Sequence, residues 1–233
     1  MKSIVLAVLL VLSACASVKQ APLREPTSTP TQTILIIGDS NLAGSFGTEL
    51  HNSIQSWRDA DVFSIAIGGG NPSYFLRPMA NICCGHVVRS STVRAVQIVN
   101  VEASSTRTQA RILPQYGGDL FRIIREKKPN LIVIALGSNN DGQANFNALI
   151  TGIRNIKAEV PIFWVGPPNA REINATGRET RIQAALNQYP RAPYHFFSSQ
   201  SVATRLHPGP ADSRRWVQGF LAELRGIRRY TGW

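Results

Sequence analysis

Four short stretches of this 233-residue chain carry residue types that could act together on an ester, and each follows an apolar run. Gly38-Asp39-Ser40 follows Ile34-Leu35-Ile36-Ile37, and three glycines, Gly68 to Gly70, follow residues 61–67. Gly137-Ser138-Asn139-Asn140 follows residues 131–136, and His207-Pro208 lies in the loop after residues 194–197. A serine hydroxyl is a poor nucleophile until a base takes its proton, and a neutral imidazole such as that of His207 can do so near pH 7. Attack on an ester carbonyl creates an oxyanion that needs preorganised donors. The backbone N–H of Ser40, the N–H of Gly69 or of its neighbour Gly70, and the side-chain amide of Asn139 supply three. Losing one such donor costs about 2.7–4 kcal/mol of transition-state stabilisation. The chemistry open to this set is acyl transfer to water.

These residues must be positioned by the elements that precede them. Ile34 to Ile37 have the composition of a strand buried on both faces of a parallel sheet, followed by a helix over about 42–56. Strands are expected at 61–67, 131–136, 161–165 and 194–197, and helices at 119–125, 143–159, 179–187 and 212–228. Strands alternating with helices at this spacing imply a three-layer α/β/α sandwich around a central, mainly parallel five-stranded sheet. Ligands bind such sheets at the carboxyl ends of the strands, so all four stretches can meet at one edge. Residues 86–115 fit this rhythm poorly. Val93, Val96, Ile98, Val99 and Val101 suggest strand between polar flanks, and the segment reads as an insertion able to rim the site.

The N-terminus divides from the rest by composition. Residues 1–15 have a basic start at Lys2, an apolar stretch from Ile4 to Leu12 and small residues before Cys15. The apolar stretch is well short of the ~20 residues needed to cross a bilayer, so it reads as a signal peptide. Leu12-Ser13-Ala14-Cys15 resembles a bacterial lipobox, which implies cleavage before Cys15, lipid on its sulfur and an acylated amino group. Several acyl chains give durable membrane attachment, here to a bacterial cell envelope, facing the periplasm or the exterior. Residues 16–32 are rich in Pro, Ser and Thr and read as an extended tether of up to about 50 Å. The remainder, 33–233, is long enough for one well-buried domain.

The other cysteines, Cys83 and Cys84, are adjacent. A vicinal disulfide, an intermolecular bond and two buried thiols are all open to them. Neither His nor Cys stands at zinc-type spacing around them, so no metal and no cofactor are expected. The formal charge of +11 suits anionic headgroups or an acidic glycan better than nucleic acid, for which no stacking-aromatic motif is present. Part of that charge belongs to the polar face of the 212–228 helix, where Arg214, Arg225, Arg228 and Arg229 lie opposite Trp216, Val217, Phe220, Leu221, Leu224 and Ile227.

IIGDSN at 36–41, GGGNP at 68–72, LGSNN at 136–140 and LHP at 206–208 occur in the order of the blocks of the SGNH (GDSL-type) hydrolases, and the chain from about 33 to 224 resembles that family. The resemblance implies a flavodoxin-like fold and a serine esterase in which Ser40 is the nucleophile and His207 the base. It also implies an oxyanion hole made by the Ser40 amide, Gly69 and Asn139. The chain departs from the family where an aspartate is usual three residues before the histidine, for Thr204 stands there. Asp141 and Asp212 are nearby in sequence, with no argument for either reaching His207. Three functions follow as expectations: an envelope-attached esterase removing a small acyl group, acetyl foremost, from a carbohydrate; a lysophospholipase or thioesterase; or a degenerate hydrolase fold that binds glycan or serves as a structural lipoprotein.

Overall fold

The computed structural model describes residues 32–57, 60–76, 86–92, 95–101 and 119–231. The expected signal peptide, Cys15, the tether up to residue 31, the Cys83-Cys84 pair and residues 93–94 and 102–115 of the expected insertion lie outside the described residues. Seven strands and seven helices are described: β1 (Gln32–Gly38), α1 (Ser40–Ala43), α2 (Ser45–Gln55), β2 (Ala60–Ile67), α3 (Pro72–Phe75), β3 (His86–Thr92), β4 (Ala95–Val101), α4 (Leu120–Lys127), β5 (Leu131–Ala135), α5 (Gln143–Ile156), β6 (Ile162–Val165), α6 (Ala175–Leu186), β7 (Tyr194–Phe197) and α7 (Pro210–Thr231).

The strands form one sheet in the order β4-β3-β2-β1-β5-β6-β7. β2, β1, β5, β6 and β7 run parallel, which is the five-stranded core expected from the alternation of strands and helices. The sheet is wider than expected, seven strands and not five, because β3 and β4 form a hairpin that pairs antiparallel on β2. The parallel crossovers leave β2 at an open edge with unpaired backbone groups, and a β-branched hairpin satisfies them. Val88, opposite Ile65, is buried and joins the sheet's core.

Apolar residues alternate to both faces of the sheet, so two cores form. Leu35, Ile37, Ile65, Ile132, Ile134 and Trp164 pack beneath α4, α5 and α6. Ile34, Ile36, Val62, Val133 and Phe163 face α1, α2 and α7 on the other side. On that side Phe46 of α2 stacks on Trp216 of α7 with ring centroids 4.0 Å apart. Such a pair is worth about 0.5–1.5 kcal/mol beyond its buried area. The amphipathic pattern of α7 is realised: Trp216, Val217, Phe220, Leu221 and Leu224 are buried, while Arg214 pairs with Glu49 and Arg215 with Asp212 on the outside.

One expected helix after β1 is two. Gly44 is extended and acts both as the C-cap of α1 and as the N-cap of α2. The break lets α1 fold back on the strand it leaves, and this needs residues without side chains. A Cβ on Gly47 would lie 1.6 Å from the Leu42 carbonyl oxygen, and one on Gly38 would lie 2.7 Å from Leu42 Cβ.

Candidate active site

The register of the sheet brings the first three blocks side by side. Gly38 is opposite Ala66 on β2 and opposite Ala135 on β5, so Ser40, the glycine run and Asn139 leave three adjacent strand ends. Ser40 and Asn139 flank the junction of β1 and β5, where crossovers turn in opposite directions and open α/β sheets bind ligands. The Asp39 amide continues the pairing past the strand, donating to the Ala135 carbonyl at 3.1 Å.

Asp39 is buried, and its carboxylate accepts the Asn41 N–H at 2.9 Å and the Ser138 N–H at 3.3 Å. It thus N-caps α1 and holds the asparagine block against the serine turn. Burial pushes its carboxyl up from the usual range, against the opposing pull of the Asn41 and Ser138 donors. Asn41 spans the site. Its Nδ2 donates to Ser138 Oγ at 2.7 Å, while its Oδ1 accepts the His207 N–H at 3.0 Å.

That second bond is not a trivial consequence of the fold. His207 follows β7, three strands from β1, so its loop must return across about 14 Å of sheet to arrive beside Ser40. Several contacts guide it. The buried Glu179 carboxylate on α6 accepts from Ser198 Oγ at 3.0 Å and Gln200 Nε2 at 2.7 Å, and Trp216 Nε1 donates to Ser199 Oγ at 2.8 Å. The Asn169 amide donates to the Ala203 carbonyl at 2.7 Å. His207 itself sits at φ 56°, left-handed and just before Pro208, where extended backbone is normal. For a non-glycine residue this costs about 1–2 kcal/mol, and such outliers cluster at functional sites.

The two glycines left open as oxyanion donors differ in what their N–H groups meet. The Gly70 N–H is committed to the Ile67 carbonyl at 2.9 Å. Gly69 is exposed, at φ 66°, and its N–H has no acceptor among the described residues. Asn139 spends one amide hydrogen on the Gly70 carbonyl at 2.8 Å, which ties its block to the glycine turn and leaves the other hydrogen available. Asn71 Nδ2 bonds the Asn140 carbonyl at 3.1 Å and Asp141 Oδ2 accepts the Ser73 N–H at 2.9 Å, so the two loops are laced along their length. From the far side Arg178 on α6 donates to the carbonyls of Gly137 and Ser138.

The sheet edge therefore gathers Ser40, Gly69, Asn139 and the His207 loop. Among the described residues no carboxylate meets the imidazole. Thr204 is exposed, Asp212 bonds Arg215 at 2.9 Å, and Asp141 is engaged by Ser73, Gly142 and Asn145. Among the described residues the His207 ring bonds neither an acid nor Ser40 Oγ; such bonds often tighten only when substrate is present. No group of three or more metal-ligating side chains occurs among the described residues. The positioning roles of Asp39, Asn41 and Ser138 are not readable from residue spacing, although all three lie inside the motifs. A groove of about 490 Å³ lies at the opposite edge of the sheet, where the Arg154 guanidinium is taken by the carbonyls of Ala158, Val160 and Pro193.

No family model matches the chain, and no curated protein matches it in sequence. Solved structures do match in shape. A GDSL-like lipase from Bacteroides ovatus aligns over 86% of this chain and 54% of its own, with TM-score 0.51 and 9% identity. A peptidoglycan O-acetylesterase aligns over 86% of this chain and 92% of its own, with TM-score 0.54 and 13% identity. A family two carbohydrate esterase from Clostridium thermocellum, solved with cellohexaose, aligns over 88% of this chain and 66% of its own, with TM-score 0.56 and 15% identity. The chain thus spans about half of the lipase and nearly all of the acetylesterase. With these likenesses and the parallel strand order β2-β1-β5-β6-β7, the chain has the fold of the SGNH (GDSL-type) hydrolases.

Proposed function

We propose that this protein is a serine esterase that removes small acyl groups, acetyl foremost, from a carbohydrate. The observation that carries it is the span of Asn41, which bonds the asparagine block through Ser138 and the histidine loop through the His207 amide from the position next to Ser40. Ser40 Oγ attacks the ester carbonyl as His207 takes its proton, and the N–H groups of Ser40 and Gly69 with the Asn139 amide receive the oxyanion. Collapse expels the alcohol, which takes the proton from the His207 imidazolium; the imidazole, neutral again, then takes a proton from water as it attacks the acyl-enzyme and returns it to Ser40 Oγ as the acid leaves. The structural neighbours named for acetyl-ester and carbohydrate-ester hydrolysis support the substrate class. Lipid attachment through Cys15 would hold the enzyme at a bacterial envelope on its tether. Among the described residues no helix is long and apolar enough to cross a membrane.

A second reading is favoured by one observation, the absence of a carboxylate on the His207 imidazole among the described residues. A fold that has lost turnover would bind glycan without cleaving it. Hydrolysis of p-nitrophenyl acetate and octanoate by the purified protein and by Ser40→Ala separates the cases. Ser40-dependent turnover of acetate over octanoate is expected; preference for octanoate favours a lysophospholipase or thioesterase, and glycan binding without turnover favours the degenerate fold.

A further inference from the structure

We propose that Arg89, delivered by the edge hairpin, is a positioning residue for the candidate nucleophile because its guanidinium holds the two carbonyls at the end of the one-turn helix that Ser40 begins. The inference rests on Ser40 being the nucleophile. A four-residue helix cannot hold itself in water, and none of its carbonyls has a partner inside it. In α1 all four are accounted for. The Gly44 N–H is shared by the Ser40 and Asn41 oxygens at 3.1 and 3.2 Å. Arg89 Nη1 donates to the Leu42 carbonyl and Nη2 to the Ala43 carbonyl, each at 2.9 Å. Nη2 reaches Thr48 Oγ1 on α2 as well, at 3.1 Å, so one guanidinium spans the break between the two helices.

The surroundings are built for this cation. Arg89 is 3% exposed, on the face of the sheet that packs against α1 and α2. Opposite it on β2 stands the small Ser64, whose Oγ bonds His51 Nδ1 at 2.6 Å. Burial and the Arg89 charge press the His51 imidazole down to about 4, so that it is neutral beside the guanidinium at pH 7. Burial also lowers Arg89 to about 10, which still leaves it charged. Among the described residues no carboxylate pairs with it, so carbonyls at the negative end of α1 are what compensate its burial. A planar fork can hold two carbonyls at once, and a lysine ammonium cannot do so in the same geometry. Ser40 lies at the other end of that single turn, so slack at the carbonyl end displaces the hydroxyl from His207 and the oxyanion donors.

The test uses the full chain with Arg89→Lys, which keeps the charge, and Arg89→Met, which keeps most of the volume. The readouts are kcat and KM on p-nitrophenyl acetate per folded molecule and hydrogen exchange at the Gly44 amide. Displacements near 1 Å cost up to about 100-fold in rate. Expected is a fall in kcat of about 10- to 100-fold with little change in KM, milder for lysine, together with faster exchange at Gly44 and unchanged protection in β1. Folded variants with wild-type kcat, or with Gly44 exchange unchanged, overturn the proposal. A rate that falls only with the folded fraction overturns it too, since Arg89 would then be structural alone. If Ser40→Ala keeps wild-type turnover, the nucleophile assignment fails instead, and the Gly44 exchange still reads whether Arg89 holds α1.

Discussion

The backbone N–H of His207 donates to Oδ1 of Asn41, 3.0 Å away, and Asn41 is the next residue after Ser40. The main chain of the proposed base is therefore registered to the neighbour of the proposed nucleophile through the Asn41 side chain, whichever way the imidazole turns. Asn41 is 3% exposed and its Nδ2 is occupied by Ser138, so its rotamer is fixed from both ends. Asn41→Ala should lower kcat about 10- to 100-fold by loosening the His207 loop, with KM changed much less. Steady-state kinetics beside a thermal melt check this, and an Asn41→Ala enzyme as fast as wild type would detach the loop's position from the chemistry.

The missing acid makes a second prediction. A carboxylate fixes the histidine tautomer and stabilises the imidazolium formed during attack. Thr204 stands exposed three residues before His207, while Asp212 is committed to Arg215 at 2.9 Å. Thr204→Asp should raise kcat, and Asp212→Asn should leave it within about two-fold, as expected for a surface pair of small energy. A large loss in Asp212→Asn, with circular dichroism unchanged, would show that Asp212 serves His207 after all.

Asn139 should act mainly in the transition state. Its amide is anchored on the Gly70 carbonyl at 2.8 Å, which aims the remaining hydrogen without help from substrate. Asn139→Ala is expected to cost about 10²–10³ in kcat, the usual loss for one oxyanion donor. An equal rise in KM with kcat intact would assign Asn139 to substrate binding instead.

The His51 imidazole gives a pH signature of stability. It is fully buried and lowered from its usual 6.5 to about 4 by burial first and by Arg89 second. Between those values the unfolded chain takes a proton that the folded chain refuses, so stability falls as pH drops from 6.5 to 4, by up to about 3 kcal/mol. Asp39, raised by burial, works in the opposite direction as pH rises from 3.8. His51→Gln isolates the histidine contribution: its melting temperature should decline less than that of wild type over this range. Parallel curves for the two proteins would contradict the assignment.

Sequence made the strand-end blocks visible because each ends an apolar run, and the order of the runs places Ser40, Gly69 and Asn139 at one sheet edge. The Asn41–His207 bond joins residues 166 apart through a loop that recrosses the sheet, and nothing local encodes that path. Arg89 was hidden for a different reason. Its strand pairs at an open edge, and a one-residue slip in register would turn its side chain to the other face. The basic composition also has a use beyond solvated helix faces: Arg89, Arg154 and Arg178 each donate to two or more backbone carbonyls.

Ser40 is proposed as a nucleophile activated at the carboxyl edge of β1. Fluorophosphonate labelling of the wild-type protein, followed by peptide mass mapping, reads this from the serine itself. Expected is a single covalent adduct on Ser40, formed more slowly after Asn41→Ala and absent after Ser40→Ala. An adduct on another serine, or esterase activity retained by Ser40→Ala, would contradict it.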